Sequence, residues 1–217
     1  MILSAKTILF LGCHMDDIEF GCGGLISELS DSNTQILLAV LSVSNKDSKD
    51  NIILQRDVNE AYASLDVLGL KRSQLYLGNC FGQIFDIEQQ KMREELLHLR
   101  ELFHPDLVFF PSKNDVHQDH FALSNNAFRI FRNRSCLGYE VVRSSFDFHP
   151  HVFMELTEES VNKKISSIMC YSSQMHESAA YYFDEDLIKS TTIFRGGQIG
   201  VRFAEAFECY RWINQKK

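Results

Sequence analysis

Thr7-Ile8-Leu9-Phe10-Leu11-Gly12-Cys13 is a short apolar run that meets a polar cluster at once, His14-Met15-Asp16-Asp17-Ile18-Glu19-Phe20-Gly21-Cys22-Gly23-Gly24. The apolar run reads as a strand. Gln35–Val43 and Asp106–Pro111 also read as strands, and these two are short continuous apolar runs of the kind a sheet buried on both faces needs. Between them lie helical patterns. Asn51–Leu68 carries Ile53, Leu54, Val58, Ala61, Leu65 and Leu68 before Gly69, and Glu88–His104 carries Met92, Leu96, Leu99 and Phe103 before Pro105. Phe121–Arg132 and Glu158–Tyr171 are further helix candidates, with Tyr139–Val142 and Val152–Leu156 as strands. The alternation predicts one α/β domain over residues 1–217, Rossmann-like, with a mostly parallel sheet flanked by helices.

Outside these elements the pattern is weaker. Ser44–Asn51 reads as a polar loop on the side where α/β sheets place ligands, and Phe146 and Phe148 alternate like a half-buried strand. In Ser172–Lys217, Asp184-Glu185-Asp186 reads as a solvated turn or helix start, and Arg195-Gly196-Gly197 with Gly200 marks a turn or loop.

With 217 residues, 45% of them hydrophobic, the chain can bury one substantial core. A net charge of -7 gives no bulk attraction to nucleic acid or an anionic membrane surface, so the expected partner is a small molecule. The apolar run before His14 is too short to span a bilayer and no small-residue cleavage site follows it; the expectation is a soluble cytoplasmic chain. Six scattered cysteines without a CxxC pair read as buried thiols rather than a disulfide framework. Assembly into a homo-oligomer is left open.

Two clusters carry the chemistry. The first, His14 to Gly24, starts where the first strand ends, at the carboxyl edge of the sheet. One histidine and two carboxylates within four residues suit a metal site, while helix capping by Asp16 or Asp17 would also explain them. The second, Pro111-Ser112-Lys113-Asn114-Asp115-Val116-His117-Gln118-Asp119-His120, follows another strand and opens a helix. His117 and His120, three apart, share a helix face, and Asp119 is placed to orient a histidine. Two His/Asp clusters at two strand ends are far less expected by chance than one. His149, His151 and His176 have no ligand spacing to either cluster.

The pair HMDDIEFGCGG and DVHQDH resembles the two signature motifs of the LmbE-like (PIG-L) N-deacetylases. Arg56, Glu60 and Leu68-Gly69, then Lys163 with Ser173-Gln174, then Arg195-Gly196-Gly197 with Ala204-Glu205-Ala206-Phe207, resemble further segments of that family. Met15 stands where the family usually has proline, which leaves the ligand loop less rigid. Cys13, next to His14, should point to the opposite face and lie in the core.

The resemblance implies a Zn2+ ion on His14, Asp17 and His120, Asp16 as general base, a protonated His117 stabilising the oxyanion with Asp119 holding it, and Arg56 on substrate. It further implies an N-acetylated amino-sugar substrate, cleaved to acetate and a free amine. Spacing alone does not tell Asp16 from Asp17. Two other readings compete: a metal-dependent phosphoesterase, and a non-catalytic nucleotide-binding module using Gly21-Cys22-Gly23-Gly24. The latter glycines lack the dinucleotide spacing and would leave the second cluster without a use.

Overall fold

In the computed structural model, which describes residues 5–46, 49, 51–83, 85, 89–175 and 181–214, β1 (Thr7–Gly12) is the axis of the sheet. Strand β2 (Gln35–Lys46) lies parallel to it on one side and β5 (Leu107–Pro111) on the other, with Phe10 opposite both Leu38 and Phe109. Beyond β5 come β6 (Ser135–Tyr139), parallel, then β8 (Ala204–Arg211) and β7 (Val152–Glu155), each antiparallel to its neighbour. Strand β4 (Leu75–Gly82) pairs parallel with β2, and β3 (Ile52–Gln55) pairs antiparallel with its last residues.

Period-two alternation divides the core into two layers. Ile8 and Phe10 face Ile18, Leu25 and Leu29 of α1 (Asp17–Leu29), Leu65 of α2 (Val58–Leu68) and Val161 of α5 (Glu158–Ile168). Leu9 and Leu11 face Met92, Leu96 and Leu99 of α3 (Gln89–Phe103) and Leu123 of α4 (Gln118–Ile130). Each such side chain, fully buried, contributes about 1.5–3 kcal/mol. The chain runs from β1 to β2 and β4 on one side, then returns to β5 on the other. The β1/β5 boundary is therefore the switch point of the strand order, where open α/β sheets leave a crevice.

Helix α1 is held tightly over that boundary. A Cβ on Gly21 would lie 2.1 Å from Tyr139 Cδ2, so only glycine lets the helix rest on this ring, whose hydroxyl donates to the Leu11 carbonyl at 2.8 Å. Glu205 accepts from Gly24 N and Leu25 N at 2.9 and 2.8 Å, and Lys164 Nζ donates to Glu205 at 2.6 Å and to the Phe20 carbonyl at 2.7 Å. A buried ion pair thus ties α1 to α5 and β8.

Several expectations change. The helix predicted over Asn51–Leu68 is two elements: Ile52–Gln55 pairs with β2 as β3, and α2 starts only after Asp57, whose carboxylate accepts from Asn59 N. The loop predicted from Ser44 starts later, because β2 continues to Lys46 against β3 and β4. The strand predicted over Tyr139–Val142 ends at Tyr139 and begins at Ser135. Phe146 is 81% exposed and in no strand. Arg195-Gly196-Gly197 lies inside α6 (Glu185–Ile199), N-capped by Asp184; only Gly200, at φ 79°, marks the stop. Glu88 and His176 lie outside the described residues. Among the described residues no helix is long and apolar enough to cross a membrane.

Candidate metal centre and active site

Both clusters emerge at the β1/β5 boundary and meet. After β1 the chain turns at Asp16, whose φ of 125° is a strained value for a residue with a side chain, as is found at functional turns. Asp17 Oδ2 accepts from the backbone N–H groups of Cys13 and His14 at 2.9 and 2.8 Å, fixing its carboxylate. Asp17 then lies between two imidazoles: His14 Nδ1 is 3.4 Å from Oδ2 and His120 Nε2 is 3.1 Å from Oδ1. Each ring is held at its other nitrogen by a second carboxylate. His14 Nε2 meets Asp119 Oδ2 at 2.9 Å, and His120 Nδ1 meets Asp115 Oδ2 at 2.9 Å.

Helix α4 starts in the middle of this arrangement. His117 is its N-cap, with Nδ1 accepting from Asp119 N at 3.2 Å, and its ring stacks on His120 with centroids 4.6 Å apart. Asp115 Oδ1 accepts from His117 N at 2.8 Å, while Oδ2 also accepts from Ser144 Oγ at 2.9 Å and Ser145 Oγ at 3.2 Å. Asp119 Oδ2 takes a second bond from Gln83 N at 2.7 Å.

The electrostatics follow from this crowding. Burial, then the adjacent Asp17 charge, push the Asp16 carboxyl up to about 8, with Arg56 and His14 partly offsetting them. At Asp17 burial opposes ionisation, but His120 and His14 outweigh it and hold the carboxyl well below its usual range. Burial likewise works against charge on the two flanking imidazoles and loses. Asp17 and Asp119 raise His14, and Asp17 and Asp115 raise His120 to about 10. His117 goes the other way: burial, then His120 and His14, push it down to about 4.

The structure brings His14, Asp16, Asp17, His117, Asp119 and His120 into one buried or half-buried cluster. Asp16 sits at the N-cap position of α1 but makes no side-chain capping bond, so capping does not account for its carboxylate. One expected relationship is corrected. The Asp119 carboxylate bonds His14, not His117, while His117 Nδ1 accepts from Asp119 N and burial, then His120 and His14, push the His117 ring down to about 4 rather than up. Arg56 is buried; Nη1 donates to Asn45 Oδ1 at 2.9 Å and, among the described residues, Nε has no partner. Cys13 lies in the core layer of α3 and α4 as expected, its thiol pushed up by burial, although Sγ is also near Asp17 and His120.

Sequence reasoning missed Asp115, Ser144 and Ser145. Asp115 was visible as a carboxylate five residues before His120; the serines carried no signal. Lys163 is on the surface, paired with Glu159, and the neighbouring Lys164 makes the buried contact to Glu205.

The residues fit a divalent ion such as zinc. One nitrogen each of His14 and His120 faces the Asp17 carboxylate and the other nitrogen of each ring meets a second carboxylate, as is usual for metal-bound histidines; among the described residues, the donor atoms that lie within 4.8 Å of one another are those of Cys13, Asp17 and His120 in one group and of His14, His117 and Asp119 in another. Among the described residues Asp119 Oδ1 is buried without a partner, a further orphaned polar atom beside the donors. Three protein ligands would leave coordination positions for water and substrate.

Two His/Asp clusters thus meet at the switch point of an α/β sheet. The chain belongs to the PIG-L family, described as GlcNAc-PI de-N-acetylase, which matches residues 9–131, more than half of its length. It is 27% identical over 179 residues to the uncharacterized deacetylase YaiS of Escherichia coli (strain K12), covering 77% of this chain and 91% of that one. The fold is similar to N,N'-diacetylchitobiose deacetylase from Pyrococcus horikoshii, solved with an inhibitor (TM-score 0.71, 21% identity, 94% of this chain and 84% of that chain). It is equally similar to GalB, the 4-carboxy-2-hydroxymuconate hydratase from Pseudomonas putida KT2440 (TM-score 0.71, 16% identity, 98% of this chain and 99% of that chain). One architecture thus hosts an N-deacetylase and a hydratase, and the reaction has to be argued from the site.

Proposed function

We propose that this chain is a zinc-dependent N-deacetylase that converts a small N-acetylated amino sugar or glycoside to acetate and the free amine. The observation that carries the reading is Asp17 set between His14 and His120, each ring backed by a buried carboxylate, with the uncapped Asp16 beside them. His14, Asp17 and His120 would hold the ion. Zinc, when bound, supplies Lewis acidity toward the amide carbonyl and a water whose pKa falls to about 7.

The remaining chemistry belongs to the side chains. Asp16, with its carboxyl near neutrality, accepts the proton of the attacking water, in the range where a general base works best. His117 is neutral with Nδ1 occupied, so Nε2 carries the hydrogen and donates to the carbonyl oxygen as negative charge develops there. The carbon–nitrogen bond breaks as the protonated Asp16 returns its proton to the leaving amine. The buried Nε donor of Arg56 supports a role in holding a substrate hydroxyl.

The test is acetate release by zinc-loaded protein from a panel of N-acetylated amino sugars, with Asp16→Asn and Asp17→Asn beside it. Asp16→Asn should keep zinc and lose at least ~10²-fold in turnover, whereas Asp17→Asn should lose zinc. No acetate from any panel member, together with hydrolysis of generic phosphoesters, would turn the reading toward a phosphoesterase.

A further inference from the structure

We infer that the chain carries a second binding site, for a multiply charged phosphate-bearing anion, in the cavity between α3, the last turn of α4 and the end of β8. The cavity has a volume of about 500 Å³, within the range of small-ligand pockets. Arg93, Arg100, Arg129, Arg132 and Arg211 line it, five of the chain's eleven arginines, and among the described residues no aspartate or glutamate does. In a chain of net charge -7 this is a strong local reversal of sign. The net charge hides it.

Two of the five have a structural task. Arg100 Nη1 donates to the Ile130 carbonyl and Arg211 Nη1 to the Phe131 carbonyl, each at 3.3 Å, so both satisfy carbonyls at the end of α4 and are fixed in place by doing so. Arg93 is steadied by Gln89 and Gln90. Arg129 and Arg132 are exposed, and among the described residues neither has a hydrogen-bond or ion-pair partner. Among the described residues, the single carboxylate paired with any of the five is Glu101, on Arg100.

Gathering five like charges opposes folding unless an anion settles among them, and no packing need explains Arg129 or Arg132. Guanidinium groups match phosphate oxygens two at a time, and several converging on one cavity suit a chain of phosphates better than one carboxylate. The Phe128 ring, also in the wall, already carries Arg211 Cζ at 4.2 Å and Lys113 Nζ at 4.4 Å. A nucleobase would therefore add little, and the phosphate chain, inorganic or on a nucleoside, is what the site reads. The cavity lies at the opposite end of α4 from His117, roughly 20 Å along the helix, so it is not part of the metal centre.

Calorimetric titration of inorganic triphosphate into the zinc-loaded protein tests this. One site is expected, with orthophosphate at least ~10-fold weaker. Arg129→Glu with Arg132→Glu should weaken triphosphate at least ~100-fold, about tenfold for each guanidinium–phosphate pair removed, with an unchanged circular dichroism spectrum. Should that pair misfold, Arg129→Gln with Arg132→Gln should still weaken binding at least ~10-fold. His120→Ala, which damages the metal centre, should bind triphosphate as the wild type does, which separates this cavity from chelation of the ion. A nucleoside triphosphate should bind within a few-fold of the inorganic one. Undiminished binding in both arginine variants, loss of binding in His120→Ala, or a nucleoside triphosphate more than ~10-fold tighter would each overturn the inference.

Discussion

Asp115→Asn isolates what holds the proposed metal centre in shape. Asp115 is 2% exposed and accepts four hydrogen bonds, from His117 N, His120 Nδ1, Ser144 Oγ and Ser145 Oγ. Asparagine keeps the shape but turns one acceptor into a donor. With the amide oxygen toward His120, the new NH2 faces the His117 N–H at 2.8 Å, donor against donor. Flipped, it faces the His120 Nδ1 hydrogen instead. One buried donor loses its partner either way, a cost of about 1–3 kcal/mol, and for a chain of this size a melting temperature lower by ~2–12 °C. Loss of the charge behind His120 also weakens the preference for a hydrogen on Nδ1, which is what turns Nε2 toward the ion. Zinc affinity should fall ~10–100-fold, or about 1.4–2.8 kcal/mol. Competition against a chromophoric chelator measures the second effect, and melting of metal-free and loaded protein the first. Ser144→Ala, which deletes one neutral bond to Asp115, should cost no more than ~1.5 kcal/mol and leave zinc affinity within a few-fold. Wild-type zinc affinity in Asp115→Asn would refute the claim that Asp115 positions His120.

His117→Ala should retain zinc and lose ~10²–10³ in turnover, through the lost donor to the carbonyl oxygen. Because His117 is neutral from about pH 4 upward, its removal should leave the basic limb of the pH–rate profile where it was; a limb that vanished with the residue would mean that His117 acts charged. Glu205→Gln should be severe, since it leaves Lys164, 3% exposed, as a buried cation with α1 hanging from it. The expected loss is about 3–5 kcal/mol, seen as a melting temperature ~6–20 °C lower, and a drop under ~3 °C would show the pair to be dispensable.

The strands legible in the sequence were those buried on both faces. Strands β1, β2 and β5 are nearly unbroken apolar runs because helices cover them on either side. Strand β4 gave no signal, with Gly78 and Asn79 interrupting a half-buried segment. Strand β8 was masked by Glu205 and Glu208, which are buried because Lys164 of α5 and Ser112 after β5 meet them from elsewhere in the chain, with Tyr210 of β8 itself beside Glu208. Ile53 and Leu54 fell in helical phase with α2, and only the partner strand β2 reveals them as strand residues. In the site, residue types and strand-end positions were readable, but pairings were not. Local spacing marked Asp119 only as a carboxylate able to orient a histidine and the resemblance put it with His117, while the fold gives its carboxylate to His14 from 105 residues away. Helix phase also decided between Lys163 and Lys164, and a one-residue error moves a side chain from the core to the surface.

Charge balance within the cluster sets how the proposed ion would bind. In the metal-free chain Asp17, Asp115 and Asp119 are ionised, their pKa values held down by the imidazoles, while His14 and His120 are raised by the carboxylates and Arg56 adds a further positive charge. Three negative and three positive charges are in balance. A dication arriving between Asp17 and the two rings needs their facing nitrogens unprotonated, so it displaces two protons and the balance is kept. Uptake at pH 6 should therefore release close to two protons per zinc. The number should fall toward one as pH rises through the His14 value, because that proton then leaves unaided. His120, held to about 10 by Asp17 and Asp115, should still give up one at pH 8. The sign for stability follows from the same shifts. Imidazoles whose pKa is raised on folding stabilise the metal-free chain fully below about 6.5, and that contribution fades as pH climbs through their folded values. The metal-free protein should thus lose melting temperature between pH 7 and 9 while the zinc-loaded protein holds it. Calorimetry of zinc binding in buffers of different ionisation enthalpy counts the protons. A count of zero at pH 8 would mean that His120 carries no proton there, and that Asp17 and Asp115 do not form the charged cradle on which the metal site depends.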